Sequence, residues 1–186
     1  MMKYKREVTL QNGETLLLRS LGPQDAQETL RIIRKTAGET DFMMRYEDEW
    51  TVSIEQQREL LASMEHAPKA LMLGAFLGGR LVGVGNFKPI HPADRARHRA
   101  GLGLSILKSH WGKGIGTAMM HAMLGAAKET PLELLELSVV GANTRAKAMY
   151  DHLGFIQYGR QPNAMKYRDG RYDDLILMQL DLHRDT

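Results

Sequence analysis

The chain has 186 residues, 43% apolar and 25% charged, with a formal net charge of +3 and no cysteine. This is the balance of an ordinary globular protein long enough to bury a real core, so residues 1–186 are expected to form one domain. The lack of cysteine excludes disulfides, thiolate metal sites and cysteine nucleophiles.

The opening run MMKYKREVTL is charged and has no apolar centre, so no secretory signal is expected. No apolar run approaches the ~20 residues of a membrane span. A cytoplasmic protein without a membrane partner is the expectation. Residues 14–20, ETLLLRS, predict a strand, with Asn12 and Gly13 as a turn before it. A helix follows, with Pro23 near its start and Gly38 near its end; Leu30, Ile33 and Ala37 fall at helical spacing. Residues 39–50, ETDFMMRYEDEW, are acidic and lack a clean period. Ser53 and Gln56 form a capping-box pattern that opens a helix to about His66, before Pro68.

Residues 70–90 predict two strands around a turn at Gly78 and Gly79, and 98–108 the next strand. Arg95, Arg97, His98 and Arg99 are the nearest thing to a basic patch. They are few and carry no interleaved aromatics, so no nucleic-acid partner is expected. From Gly114 to about Glu129 a helix carries an apolar stripe of Ile115, Met119, Ala122, Met123 and Ala126, expected in the core. A strand at 132–140 follows Pro131. Asn143 then reads as the N-cap of a helix closed by Gly154. Two last strands flank Asp169 and Gly170, a pair that suits a type I′ hairpin turn. The order β-α-α-β-β-β-α-β-α-β-β predicts one α/β sheet, mostly antiparallel at its start and with helical crossovers later.

The stretch WGKGIGT, residues 111–117, sets glycines at alternate positions on a strand-to-helix turn. Glycine lets a backbone approach a ligand closely, and a helix start aims free N–H groups at an anion. The nucleotide-binding pattern Gly-x-x-x-x-Gly-Lys-Ser/Thr fails, because Lys113 precedes the key glycines. The dinucleotide fingerprint fails because Thr117 stands where its third glycine should. What fits resembles the GNAT acetyltransferase superfamily, whose signature is Gln/Arg-x-x-Gly-x-Gly/Ala. Trp111 occupies the first position, a departure, followed by Gly112, Lys113, Gly114, Ile115 and Gly116. A second family pattern lies downstream in Asn143, Ala146, Tyr150, Gly154 and Phe155. The resemblance spans roughly residues 14–182 and is sharpest from 98 to 155.

The resemblance implies an α/β fold of the α+β type. Its sheet would be mixed and mostly antiparallel, with about six or seven strands, a V-shaped splay and about four flanking helices. It implies acetyl-CoA as co-substrate, a primary amine as acceptor, direct attack in a ternary complex, and a possible homodimer. Residues Trp111, Gly112, Lys113, Gly114, Ile115, Gly116 and Thr117 would hold the pyrophosphate. The main chain of Ile106, Leu107 and Lys108 would pair with the pantetheine arm, an N–H near Ile106 would face the developing oxyanion, and Asn143 and Ala146 would touch the CoA arm. Tyr150 would be the general acid for the leaving thiolate.

Residues 98–108 contain no Asp or Glu, which leaves His98, Asp41, Tyr46 and Glu47 as candidates for the base and the acceptor site. The seven histidines show no H-E-x-x-H spacing, so no catalytic metal is expected. In the acidic segment Glu39, Asp41, Glu47, Asp48 and Glu49 outnumber Arg45, which favours a cationic acceptor, whether small molecule or protein amine. Two alternatives stand beside the enzyme: a CoA-binding sensor or interaction domain without chemistry, and a nucleic-acid-binding α/β domain.

Overall fold

The computed structural model describes residues 3–183. Its elements are β1 Lys5–Thr9, β2 Thr15–Ser20, α1 Ala26–Glu39, α2 Ile54–His66, β3 Leu71–Leu77, β4 Arg80–Pro89, β5 Arg99–Ile106, α3 Ile115–Lys128, β6 Leu134–Val140, α4 Thr144–His152, β7 Ile156–Lys166 and β8 Tyr172–Asp181. The strands form one sheet in the order β1-β2-β3-β4-β5-β6-β8-β7. Every neighbouring pair is antiparallel except β5 with β6.

The local signals act as written in the sequence. Ser53 Oγ accepts from the Gln56 N–H at 3.1 Å and Gln56 Oε1 from the Ser53 N–H at 2.9 Å, which closes the capping box of α2. Asn143 Oδ1 accepts from the Ala146 N–H at 3.2 Å and caps α4. All five residues of the α3 stripe are buried. With the inward residues of α4 they pack against Leu16, Leu18, Leu73 and Phe87 on one face of the sheet. Alternate strand residues point to opposite faces. Met72 and Val84 accordingly join a second core with Ile32 of α1 and Leu61 of α2.

Two expectations need correction. The sheet has eight strands, because β1 pairs with β2 from Lys5↔Arg19 to Thr9↔Thr15. Only Val8 of β1 is even half-buried, so this edge strand has almost no apolar alternation to betray it. The β7–β8 turn is not type I′. That turn needs positive φ at both central residues. Asn163 is the one described non-glycine residue with positive φ, so Asp169 does not qualify. Instead Gly170 N–H bonds to Tyr167 O (3.0 Å) and Tyr167 N–H to Arg171 O (2.8 Å), a type I turn that ends in a left-handed Gly170, φ 89°.

The one parallel pair matters most. β5 and β6 are in register only over Arg99–Gly101 and Leu134–Glu136. Arg99 Nη2 reaches Glu136 Oε2 at 2.8 Å across that end. Beyond it the strands part, and the sheet holds an open wedge.

Candidate active site

Hydrogen-bond direction alternates along a strand, so the groups facing the wedge can be counted. Leu107 N–H donates to Val82 O (3.0 Å) and Ile90 N–H to Arg99 O (3.2 Å), so odd-numbered residues of β5 face β4. Leu104 and Ile106 therefore turn their main-chain groups into the wedge. On β6, Gly141 N–H donates to Asp174 O (2.9 Å) and Leu182 N–H to Glu133 O (2.8 Å). Odd residues there face β8, and Ser138 and Val140 face the wedge. The Val140 carbonyl is taken by Asn143 N–H at 2.8 Å. The Ile106 carbonyl is taken by Trp111 Nε1–H, also at 2.8 Å. Two unpaired edges thus face each other, an opening for an extended ligand.

This corrects the expected pantetheine contacts. Of Ile106, Leu107 and Lys108, only Ile106 offers its N–H to the wedge. Leu107 is bonded within the sheet and buries its side chain in the α1–α2 core. Lys108 donates its N–H to Glu39 Oε2 at 2.8 Å. Leu104, which the sequence reading passed over, is the second donor.

At the mouth of the wedge α3 begins. Gly114 is its N-cap, with φ 82° and no side chain to cap the first turn. The first main-chain bond of the helix runs from Ala118 N–H to Gly114 O (3.0 Å), so the N–H groups of Ile115, Gly116 and Thr117 lack helical partners. Gly112 also has φ 82°. The left-handed backbone at 112 and 114 asks for glycine whatever the ligand. A Cβ on Gly114 would meet nothing within 4 Å, so there is room before the free donors. On Gly116 a Cβ would lie 3.3 Å from Met149 Sδ and 3.4 Å from Ile106 Cδ1, which closes the helix onto the strand.

Wedge and helix start share one hollow of about 550 Å³. Trp111, Gly112, Gly114, Ile115, Gly116, Thr117, Asn143, Ala146 and Tyr150 all border it, so most of the expected CoA-contacting residues do meet. Lys113 lies in the loop between the glycines and borders neither this hollow nor its neighbour. Tyr150 is 7% exposed, and its ring packs on Phe155 at 5.7 Å between centroids. Burial pushes its phenol up to about 12. It therefore stays protonated at neutral pH. Burial, with Lys113 adding to it, lowers the imidazolium pKa of His110, which also borders the hollow.

Arg145 was missed in the sequence. It borders the hollow, lies within 3.4 Å of a Cβ built on Gly112, and stacks over the Trp111 ring at 5.7 Å. The available signal was electrostatic: the first turn of α4 has no acid, and a cation there opposes the helix dipole unless an anion joins it.

The acidic segment forms the wall of a second, outer hollow of about 840 Å³, which shares Thr40, Phe42 and Trp111 with the first. Glu39, Asp41, Tyr46, Glu47 and Asp48 border it. Several of these are already engaged. Arg168 Nη2 bonds both oxygens of Asp48 (2.9 and 2.8 Å) and holds its carboxyl below the usual range, while Arg168 N–H donates to Tyr46 Oη at 2.9 Å. Arg171 Nη2 bonds Asp41 at 3.2 Å. Among the described residues no carboxylate borders the inner hollow. His98 borders neither; it precedes β5 at the closed end of the wedge, and its carbonyl accepts from Glu133 and Leu134.

The inner hollow has a second lobe on the α1–α2 face. Met72, Asn86 and Gly103 stand opposite one another across β3, β4 and β5 and form its floor. Phe42, Met43 and Trp50 also border it, and Ser105 Oγ of β5 reaches Met43 Sδ at 3.6 Å. The wedge joins this lobe to the α3–α4 side, so two ligands can approach each other through the gap in the sheet.

Residues 35–155 match the sequence model of the acetyltransferase (GNAT) family. A Pseudomonas aeruginosa relative, an L-methionine sulfoximine/L-methionine sulfone acetyltransferase, is 21% identical over 165 residues, 89% of this chain and 94% of the relative. A GNAT-family acetyltransferase structure from Streptococcus pneumoniae superposes with a TM-score of 0.86 at 28% identity, over 89% of this chain and 99% of its own. The structure of yncA from Salmonella typhimurium, solved with its cofactor acetyl-CoA, covers 92% of this chain and 96% of its own with a TM-score of 0.81 at 18% identity, a likeness of fold.

Proposed function

The chain belongs to the GNAT acetyltransferase family, acetyl-CoA-dependent N-acetyltransferases, and on that premise we propose that it transfers acetyl from acetyl-CoA to a primary amine by direct attack in a ternary complex. The observation that carries the reading is the pairing of two features around one hollow: the free donors of the α3 start and the phenol-bearing Tyr150 on its wall.

Acetyl-CoA supplies an acyl group activated as a thioester. The N–H groups of Ile115, Gly116 and Thr117 hold its pyrophosphate with the positive end of α3, and Arg145 adds a charge-assisted contact. Leu104, Ile106 and Ser138 offer main-chain groups to the pantetheine amides. The N–H of Ile106 is also the candidate donor to the acyl oxygen as that oxygen gains charge. Asn143 spends Oδ1 on its cap and keeps its amide N–H₂ for the ligand. Tyr150 Oη gives its proton to the departing sulfur.

The base is solvent in this reading. Among the described residues no carboxylate borders the inner hollow, and in this reading the amine arrives neutral or loses its proton to water. The rate should therefore rise with pH up to the amine's own pKa. No falling limb should come from Tyr150 below strongly alkaline pH, because its pKa is raised to about 12. The acids of the outer hollow act at longer range. Glu47, without an ion-pair partner among the described residues, is the one placed to attract an ammonium group.

Tyr150→Phe keeps the ring against Phe155 and deletes only the O–H. It should lower kcat roughly tenfold to a hundredfold, the low end for a positioned acid because a thiolate leaves readily. CoA affinity should hold. Thiol release at saturating acetyl-CoA decides it, and an unchanged kcat with chemistry rate-limiting would reduce Tyr150 to packing.

A further inference from the structure

Asn86 lies on the floor of the acceptor lobe, opposite Gly103 in the register of β4 with β5. Its residue is half-buried, and its carboxamide has no hydrogen-bond partner among the described residues. A polar group that borders a hollow and stays unpaired in the protein is free for a ligand. The side chain is aimed by what stands opposite. A Cβ on Gly103 would come within 2.8 Å of Asn86 Oδ1, so the carboxamide reaches over Gly103, into space that a glycine leaves. Gly103 directly precedes Leu104, whose main-chain groups turn into the wedge. Oδ1 therefore stands beside the edge where the wedge opens into the lobe. The charged or titratable side chains that border the same hollow are His110, Arg145 and Tyr150, from the turn before α3 and from α4. Around Asn86 the lobe is apolar, with Ile33, Phe42, Met43 and Met72.

We infer that Asn86 is a catalytic residue on the acceptor side: its Oδ1 accepts a hydrogen bond from the attacking amine and turns the nitrogen lone pair toward the thioester. This rests on the acetyl-transfer reading and adds to it the group that receives the nucleophile. The amine attacks after its ammonium proton has gone to water. Its lone pair forms the C–N bond to the carbonyl carbon and the C–S bond breaks. The sulfur takes the Tyr150 proton, which solvent replaces, and the nitrogen gives its extra proton to water. Positive charge grows on nitrogen as the C–N bond forms. A hydrogen bond from that nitrogen to a carbonyl dipole is therefore stronger in the transition state than in the ground state. A carboxamide suits a site whose base is solvent. It accepts without carrying charge, so it holds the neutral amine and does not favour the unreactive ammonium as a carboxylate would. The apolar wall around it acts in the same direction, because burying an unpaired charge is costly.

The test measures thiol release with n-butylamine, benzylamine, spermidine, glycinamide and a short peptide with a free N-terminus, on the wild-type chain, Asn86→Leu, Gly103→Ala and Asn86→Asp. Asn86→Leu keeps the volume and removes the acceptor. It should lower kcat/KM for the best amine roughly tenfold, the scale of a hydrogen bond to a group that gains charge. KM for acetyl-CoA and CoA affinity by calorimetry should hold. Gly103→Ala pushes the carboxamide aside without altering it, and should lower the same constant by less. Asn86→Asp sets a base and a counter-charge at the same point. The ammonium form then becomes a usable substrate, and the rise of kcat/KM with pH should flatten below the amine's own pKa. A packing role would not move that profile. An unchanged constant in Asn86→Leu, or a wild-type pH profile in Asn86→Asp, would overturn the role and leave acetyl transfer standing. If a melting curve shows Asn86→Leu unfolded, the Asn86→Asp profile decides alone: flattened supports the role and unchanged overturns it. No thiol release from the wild type with any of the amines would sink acetyl transfer and this role together.

Discussion

The two sides of the wedge are built from different materials. On the α3–α4 side the groups proposed to meet the ligand are main-chain groups on regular elements: a helix start, two strand edges and a capped helix. On the α1–α2 side they are side chains, and many come from the irregular stretch between Glu39 and Trp50. Backbone donors read a chemical group that every acyl-CoA shares. Side chains on an irregular segment read whatever differs between acceptors. The division teaches that the generic half of the reaction is set by fold geometry, and the specific half by tertiary contacts that can change without disturbing the fold.

The largest break in that comparison should come from filling the cradle. Gly114→Val places a branched side chain in the space before the free N–H groups and also strains a left-handed backbone. Gly114→Asn tolerates that backbone and so isolates the effect of volume. Both should weaken CoA binding by about a hundredfold, the cost of about two hydrogen bonds to a charged group. Only the valine variant should also lose thermal stability. Calorimetry and a melting curve on each would show it, and wild-type CoA affinity in the asparagine variant would remove the cradle from the account.

A smaller change sharpens the comparison instead. Arg145 borders the hollow on the α3–α4 side, with its side chain next to Gly112. Arg145→Gln should weaken CoA about fivefold to tenfold, and the difference from wild type should shrink in high salt. Titrations at two ionic strengths are the check; a salt-independent loss would mean that Arg145 acts by packing on Trp111.

The smallest effect belongs to the clasp between the acidic segment and the β7–β8 turn. Arg168 binds Asp48 and Tyr46 from that turn, and all of these groups are solvent-accessible. Exposed ion pairs contribute little to stability. Arg168→Ala should barely move the melting temperature, yet raise KM for the amine modestly while KM for acetyl-CoA stays put. A change in the acetyl-CoA constant instead would show that the two sides are not separable.

The same division explains what could be read from sequence. Gly112 and Gly114, the Asn143 cap and the Gly154 helix end are local signals, each tied to a backbone conformation, and they located the start of α3 and both ends of α4 to within a residue or two. Which main-chain groups remain free is another matter. Leu104 and Ile106 face the wedge and Leu107 does not, because pairing with β4 fixes the alternation, and that register is a tertiary fact. The acidic segment was legible as charge but not as placement. Asp41 and Asp48 meet Arg171 and Arg168, some 120 to 130 positions away, and turn outward. Trp50 and Asn86 gave no sequence signal at all, since an apolar aromatic and a strand asparagine are ordinary until their neighbours are known. β1 escaped because an exposed edge strand has no face to alternate.

The central claim is that main-chain donors of the wedge and of the α3 start receive the acyl donor. Amide-resolved NMR of the ¹⁵N-labelled protein during titration with CoA tests it most directly. The account predicts the largest amide shifts, and added protection from hydrogen exchange, at Leu104, Ile106, Ile115, Gly116 and Thr117, with little change at Asp41, Glu47 and Asp48. Shifts concentrated along the acidic segment, with the amides of 115–117 unmoved, would contradict it.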